Sequence, residues 1–195
     1  MGLYKDTIIV FGGFDGSRSN SIYSLHLPTN HWSLVLPAVG SSIPIPRSHH
    51  CLAIIGTSMF IFGGLSEEAK LLCDVHVFDL EKLTWKALTP EGTGPGGRIN
   101  HSAHILGNFF VVFGGYDGKL RLNDIYFLDL ETLSWVVPLV HGTPPSRRLG
   151  HASVVAGDKL IIFGGDDGNK ERELLNDLHI FDLPSMRWYT PEIGG

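Results

Sequence analysis

The chain has 195 residues, 43% of them hydrophobic, which is enough for one modest domain with a core and too apolar for a disordered segment. Its net charge of −5 comes from 15 basic and 20 acidic residues. Arg147-Arg148 is its one adjacent arginine pair, so it lacks the concentrated basic patch that a nucleic-acid duplex calls for. Two cysteines exclude a disulfide scaffold, 24 glycines without a G-x-y period exclude collagen, and no apolar run reaches the length of a membrane span.

Met1-Gly2-Leu3-Tyr4-Lys5-Asp6 leads straight into a strand and does not read as a signal peptide, so cytoplasm or nucleus is the expected compartment. The first strand is Thr7 to Phe11, closed by Gly12-Gly13. Ser21 to Leu27 alternates as a half-buried strand, and Trp32 to Val35 reads as another. A Pro-, Gly- and Ser-rich connection leads to the second unit, with strands at His50 to Ile55, Met59 to Phe62, Asp74 to Leu80 and Trp85 to Leu88. The third unit has His101 to Leu106, Phe109 to Phe113, Asp124 to Leu130 and Trp135 to Leu139. The fourth has His151 to Val155, Leu160 to Phe163, Asp177 to Leu183 and Trp188 to Thr190. No helical period is sustained, Cys51 and Cys73 read as buried free thiols, and the first unit lacks the leading strand of the others.

The glycine pairs Gly12-Gly13, Gly63-Gly64, Gly114-Gly115 and Gly164-Gly165 recur at steps of 51, 51 and 50 residues, which is a repeat period. The units, about 1–40, 41–91, 92–142 and 143–195, form one expected domain. Each combines the glycine pair, an aromatic in the third strand and a tryptophan in the fourth (Trp32, Trp85, Trp135, Trp188). Three are preceded by Arg-x-x-His, at Arg47 to His50, Arg98 to His101 and Arg148 to His151. With these elements the whole chain resembles the kelch-repeat family. The resemblance implies an all-β, kelch-type β-propeller of about four blades, each of four antiparallel strands. It also implies a platform that binds proteins. Some kelch-like proteins are metal-dependent oxidases, epimerases or specifier proteins, and that class is the alternative. The incomplete first unit leaves three explanations open: part of a longer propeller, a chain completed by association with another, or a small four-blade ring. A partial propeller that self-associates through its open ends is the favoured one.

The spacings point to one end of the blades. Each lead-in His is 13 residues before its glycine pair, and each third-strand Leu is five residues before its Trp. All length variation lies between the second and third strands (b–c) and in the connections from the fourth strand to the next unit (d–a). In an antiparallel meander these segments share one end, which is the expected recognition face. Its candidate binding residues are Asp15, Glu67, Tyr116, Asp117, Lys119, Arg147, Asp166, Asp167 and Glu171. Arg47, Arg98 and Arg148 either stabilise the blades or join that face as a ring. The glycine pairs serve backbone geometry, since no helix follows to make a phosphate site, and the tryptophans are expected to pack between blades. His50, His101 and His151 suggest a shared structural hydrogen bond, and His76 and His179, in register with Tyr23 and Tyr126, a packing position with a polar tip. No H-E-x-x-H, C-x-x-C, P-loop or G-x-S-x-G motif is present, so no catalytic, metal or cofactor residues are assigned; the expected partner is a protein, with no nucleic acid and no membrane.

Overall fold

A computed structural model describes residues 1–169 and 174–192. Among these there are strands, turns and bends but no helix, and so no helix that could cross a membrane. The chain divides into two compact units, Met1–Thr89 with Gly96–Ile99, and Pro90–Pro95 with Asn100–Gly195.

The first unit contains two four-stranded antiparallel meanders. One is β1 (Gly2–Tyr4), β2 (Thr7–Phe14), β3 (Arg18–His26) and β4 (His31–Val35). A two-residue strand, β5 (Arg47–Ser48), precedes the second, which is built from β6 (Cys51–Ile55), β7 (Ser58–Phe62), β9 (Val75–Asp79) and β10 (Thr84–Leu88). β8 (Leu65–Ser66) pairs with β5. The second unit holds β11 (Ser102–Leu106), β12 (Phe109–Tyr116), β13 (Arg121–Asp129) and β14 (Ser134–Val136). It also holds β15 (His141–Gly142), β16 (Ala152–Ala156), β17 (Lys159–Gly165), β18 (Leu175–Asp182) and β19 (Arg187–Tyr189).

The first meander is abbreviated rather than short of a strand. Gly2–Tyr4 pairs with β2 through Tyr4↔Thr7, and Lys5 takes a positive φ of 52° to close the turn. It has three residues where its counterparts β6, β11 and β16 have five, too few for a strand pattern to stand out in the sequence. The glycine pair closes its strand as expected only at β7, which stops at Phe62 before Gly63-Gly64. The other three pairs lie within β2, β12 and β17, where the register shifts between Phe11 and Gly13, Phe113 and Gly115, and Phe163 and Gly165. The pair is a bulge whose two left-handed residues suit glycine, as at Gly114 (φ 62°) and Gly115 (φ 97°).

The constant end of each meander is wired identically four times. The Leu after the third strand donates its N–H to the a–b turn: Leu27 to Asp6 O, Leu80 to Thr57 O, Leu130 to Asn108 O and Leu183 to Asp158 O, at 2.8–3.1 Å. Three residues later Asn30, Leu83, Leu133 and Met186 all have φ between 49° and 55°. One left-handed residue reverses the chain within four residues, and this fixes the five-residue step from Leu to Trp. At the outer edges the d–a connections cover what would be exposed strand edges. Ala38 N–H and Ser42 N–H donate to Leu83 O and Trp85 O, Glu91 N–H to Leu133 O, and His141 N–H to Met186 O.

Packing within each unit is sheet face on sheet face. In the first, Ile9, Phe11 and Ile22 bury against Met59, Ile61, Phe78 and Trp85. In the second, Val111, Phe113, Ile125 and Phe127 bury against Leu160, Ile162, Phe181 and Trp188. The tryptophans therefore divide. Trp85 and Trp188 are 3% and 1% exposed and Trp135 is half-buried, but Trp32 is 53% exposed. Trp32 lies in the row Leu3, Ile8, Leu25, Trp32 across the first meander, the face opposite to Ile9 and Phe11. The expectation of a uniform packing role fails at Trp32 because its face is the uncovered one. The thiols differ too: Cys51 is half-buried, but Cys73 is exposed beyond β8, where the backbone leaves the sheet.

Candidate functional site

The lead-in arginines go to the interior. Arg47 and Arg148 are fully buried and Arg98 is 2% exposed. Arg47 donates to Asp74 twice, Nη1 to Oδ1 at 2.6 Å and Nη2 to Oδ2 at 2.7 Å, and to Gly63 O at 3.1 Å. Arg148 repeats this on Asp177 at 2.8 Å for both bonds and on Gly164 O at 2.9 Å. Arg98 Nε donates to Gly96 O at 3.1 Å, as Arg47 and Arg148 do to Ile45 O and Ser146 O. A guanidinium without exposed surface cannot touch a partner, so Arg47, Arg98 and Arg148 leave the list of recognition residues. The bidentate forks of Arg47 and Arg148 tie their lead-ins to the third strand and glycine pair of the same unit.

His76 Nε2 and His179 Nε2 complete these groups at 2.9 and 2.8 Å from Asp74 Oδ2 and Asp177 Oδ2. Burial by itself would push the Asp74 carboxyl up, but Arg47 and His76 more than reverse this and hold it well below the usual carboxylate range. For Asp177 the Arg148 hydrogen bonds are the main cause of the same downward shift. Asp177-Leu178-His179 is thus an ion-pair element. In the first meander Ser21 stands where Asp74 and Asp177 do. Among the described residues no group of three or more His, Cys, Asp or Glu is placed to hold a metal ion.

His50 and His151 pack their rings edge-on against Phe11 and Phe113 at 5.2 and 5.3 Å between centroids. His151 Nε2 also lies 2.8 Å from Ser102 Oγ. Burial, then Arg47, pushes His50 down to about 4, and burial, then Arg148, pushes His151 down to about 4. The unfolded imidazole titrates near ~6.5, so below that pH the unfolded state takes up the proton first. The stability these neutral rings allow is complete above about pH 6.5 and is lost as pH falls towards 4, by on the order of 2–3 kcal/mol each. Urea unfolding across that window is expected to show the decline, and His50→Gln with His151→Gln is expected to flatten it. An unchanged slope in the double variant would refute the assignment.

At the variable end the two units are alike in one device. In the first, Arg18 at the start of β3 reaches the next b–c loop: its N–H donates to Glu67 Oε2 at 3.0 Å and its Nε to Ser48 Oγ at 3.1 Å. In the second, Arg121 at the start of β13 donates from Nη2 to Asp166 Oδ2 at 2.7 Å. Arg18 and Arg121 hold equivalent positions, paired with Phe14 and Tyr116 across the b–c turn. Sequence reasoning missed Arg18 as a clasp; its signal was an arginine five residues before Tyr23, as Arg121 is before Tyr126.

These clasps divide the expected contact residues. Glu67 and Asp166 are engaged with arginines, and Asp166 also accepts from Gly168 N–H at 2.6 Å. Asp117 Oδ1 holds its own turn by accepting from Lys119 N–H at 2.8 Å and Leu120 N–H at 2.7 Å. Asp167 Oδ1 accepts from Asn169 N–H at 2.8 Å, and Tyr116 Oη donates to Gly118 O at 2.9 Å. Asp15, Lys119 and Arg147 are exposed. Glu171 lies outside the described residues, as does most of the 166–173 loop beyond Asn169. Two apolar side chains join the exposed set, Phe14 at 61% and Leu120 at 54%. A reading based on charge passed over them, although exposed aromatic and aliphatic anchors commonly carry most of an interface's energy.

The KLHDC2/KLHL20/DRC7 Kelch-repeats domain family matches residues 1–195. Kelch domain-containing protein 3 of Rattus norvegicus is 34% identical over 116 residues, covering 58% of this chain and 30% of the relative. Rho GTPase-activating protein gacHH of Dictyostelium discoideum is 36% identical over 116 residues, 57% of this chain and 8% of the relative. Leucine-zipper-like transcriptional regulator 1 homolog of Drosophila melanogaster is 32% identical over 127 residues, 62% of this chain and 13% of the relative. The matched segments span less than a third of the length of these relatives.

Proposed function

Because the chain belongs to the kelch-repeat family and has its β-propeller fold, we propose that it is a protein-interaction module that recognises its partner with the b–c and d–a end of its blades. The observation that carries this reading is the contrast between the two ends. One is built four times from the same Leu-to-turn hydrogen bond and the same left-handed residue. The other differs in every blade and exposes Phe14, Asp15, Lys119, Leu120 and Arg147. The relatives support it as well. A segment that makes up 8% of a GTPase-activating protein and 13% of a transcriptional regulator homolog suits recognition better than one fixed chemistry.

Capture of partners on the immobilised chain, read by mass spectrometry, tests the proposal. Phe14→Asp or Lys119→Glu with Arg147→Glu is expected to abolish capture and leave the melting temperature within about 2 °C, as befits exposed positions. Lys82→Glu and Glu131→Lys, exposed at the c–d turns, are expected to change neither. Capture lost only with the second set would place recognition at the wrong end. Stoichiometric copper or iron in the freshly purified protein would favour an enzyme instead.

A further inference from the structure

The fourth strand of the third blade stops early, and a proline is the reason. In β4 and β10 the pairing continues to the third residue after the tryptophan, with Val35 opposite Ile22 and Leu88 opposite Val75. β14 and β19 end one residue after it, at Val136 and Tyr189, and the third residue there is Pro138 or Pro191. Proline has no N–H to give to a sheet and so marks strand ends. In the first meander Val35 packs against the cluster that contains Trp85. In the third, the chain leaves β13 after Val136, and a cavity of about 220 Å³ opens in the interior of the second unit. Its walls include Ile125, Val137, Pro138, Val140, Pro144 and Trp188.

The walls say what the cavity takes. Trp188 is 1% exposed, and its Nε1–H has no hydrogen-bond partner among the described residues. A buried N–H without an acceptor is unfavourable, so an occupant that brings an oxygen to it gains affinity. Trp85 Nε1–H is unpartnered too, but its neighbouring strand β4 keeps Val35 in place, with no proline to open a way in. Asp124 stands in the same wall as an acceptor, while Asn123 is engaged, donating from Nδ2 to Pro145 O at 3.0 Å. The volume is below the roughly 300 Å³ at which small-molecule sites begin, and suits one large side chain. An apolar ring whose hydroxyl both accepts and donates matches all of this. We propose that the cavity anchors a tyrosine side chain of the protein partner, with its phenol oxygen accepting from Trp188 Nε1–H and its proton directed to Asp124. The proposal rests on the reading that the b–c and d–a end binds a protein, and adds the anchor, the kind of buried aromatic contact that dominates an interface.

The probe is p-cresol, the tyrosine side chain as a free molecule, titrated into the isotope-labelled intact chain, with toluene as its hydroxyl-free counterpart. The readout is the nuclear magnetic resonance signal of the Trp188 Nε1–H, assigned by its loss in Trp188→Phe. p-Cresol at millimolar concentration is expected to move this signal downfield and saturably, and to leave those of Trp32 and Trp85 in place. Toluene is expected to give no downfield movement. Val137→Asp, at a wall residue 65% exposed, is expected to weaken p-cresol binding and partner capture together, by about threefold or more, with the melting temperature within about 2 °C. A Trp188 signal that does not respond would overturn the proposal, yet leave the choice of face standing, since that is read from Phe14 and from Lys119 with Arg147. An equal response to toluene would overturn it as well, as would undiminished capture in Val137→Asp once p-cresol binding is lost. So would light scattering that shows a dimer dissolved by p-cresol, because a second copy would then be the occupant.

Discussion

Trp188→Ala is expected to cost about 3–5 kcal/mol, while Trp32→Ala costs under about 1 kcal/mol, although both tryptophans occupy one repeat position. Trp188 is 1% exposed and packs on Phe113 and Phe181, each at 5.2 Å between ring centroids. Truncation removes a large apolar surface and leaves a void that the flanking strands β17 and β18 cannot collapse into. Trp32 is 53% exposed on the uncovered face of the first meander, so its loss mostly returns surface to water. Urea unfolding of the two variants measures the difference. Equal losses would mean that the face bearing Trp32 is covered in solution.

Asp177→Ala is expected to cost about 3 kcal/mol, the lower end for breaking a buried ion pair because the carboxylate side is partly exposed. The cost arises less from the lost attraction than from the guanidinium left behind, since Arg148 has no exposure at which to recover water. Arg148→Met combined with Asp177→Ala is therefore expected to recover most of the loss, and a double-mutant cycle reads the coupling. Acid gives a second view. The folded Asp177 carboxyl titrates below its unfolded value of about 3.9, so its contribution is complete above that pH and disappears only as pH falls well below it. Additive single and double variants would refute the pairing.

Much of this fold was legible because repetition supplied its own controls. The glycine pair, the third-strand Leu and the Trp marked three strands of every blade and identified the constant end. What repetition could not show was the conformation behind a spacing. Leu83, Leu133 and Met186 are unusual choices for a left-handed residue, and no propensity argument would select them. Nor could it show where Arg47 points. Its partner Asp74 is 27 residues away, and the available signal was the aspartate that recurs six residues before the third-strand Leu at Asp74, Asp124 and Asp177. At the variable end, recurrence is no guide. Phe14 and Leu120 are exposed because the b–c turns differ, whereas Glu67 and Asp166 are drawn into clasps by arginines on neighbouring blades.

The central claim is that recognition uses the irregular end of the blades. Hydrogen exchange by mass spectrometry on the chain, free and bound to a captured partner, tests it most directly. New protection is predicted at residues 14–18, 65–72 and 116–121, with none at the c–d turns 27–30, 80–83, 130–133 and 183–186. Protection confined to those turns, with the b–c loops exchanging as in the free protein, would contradict the account.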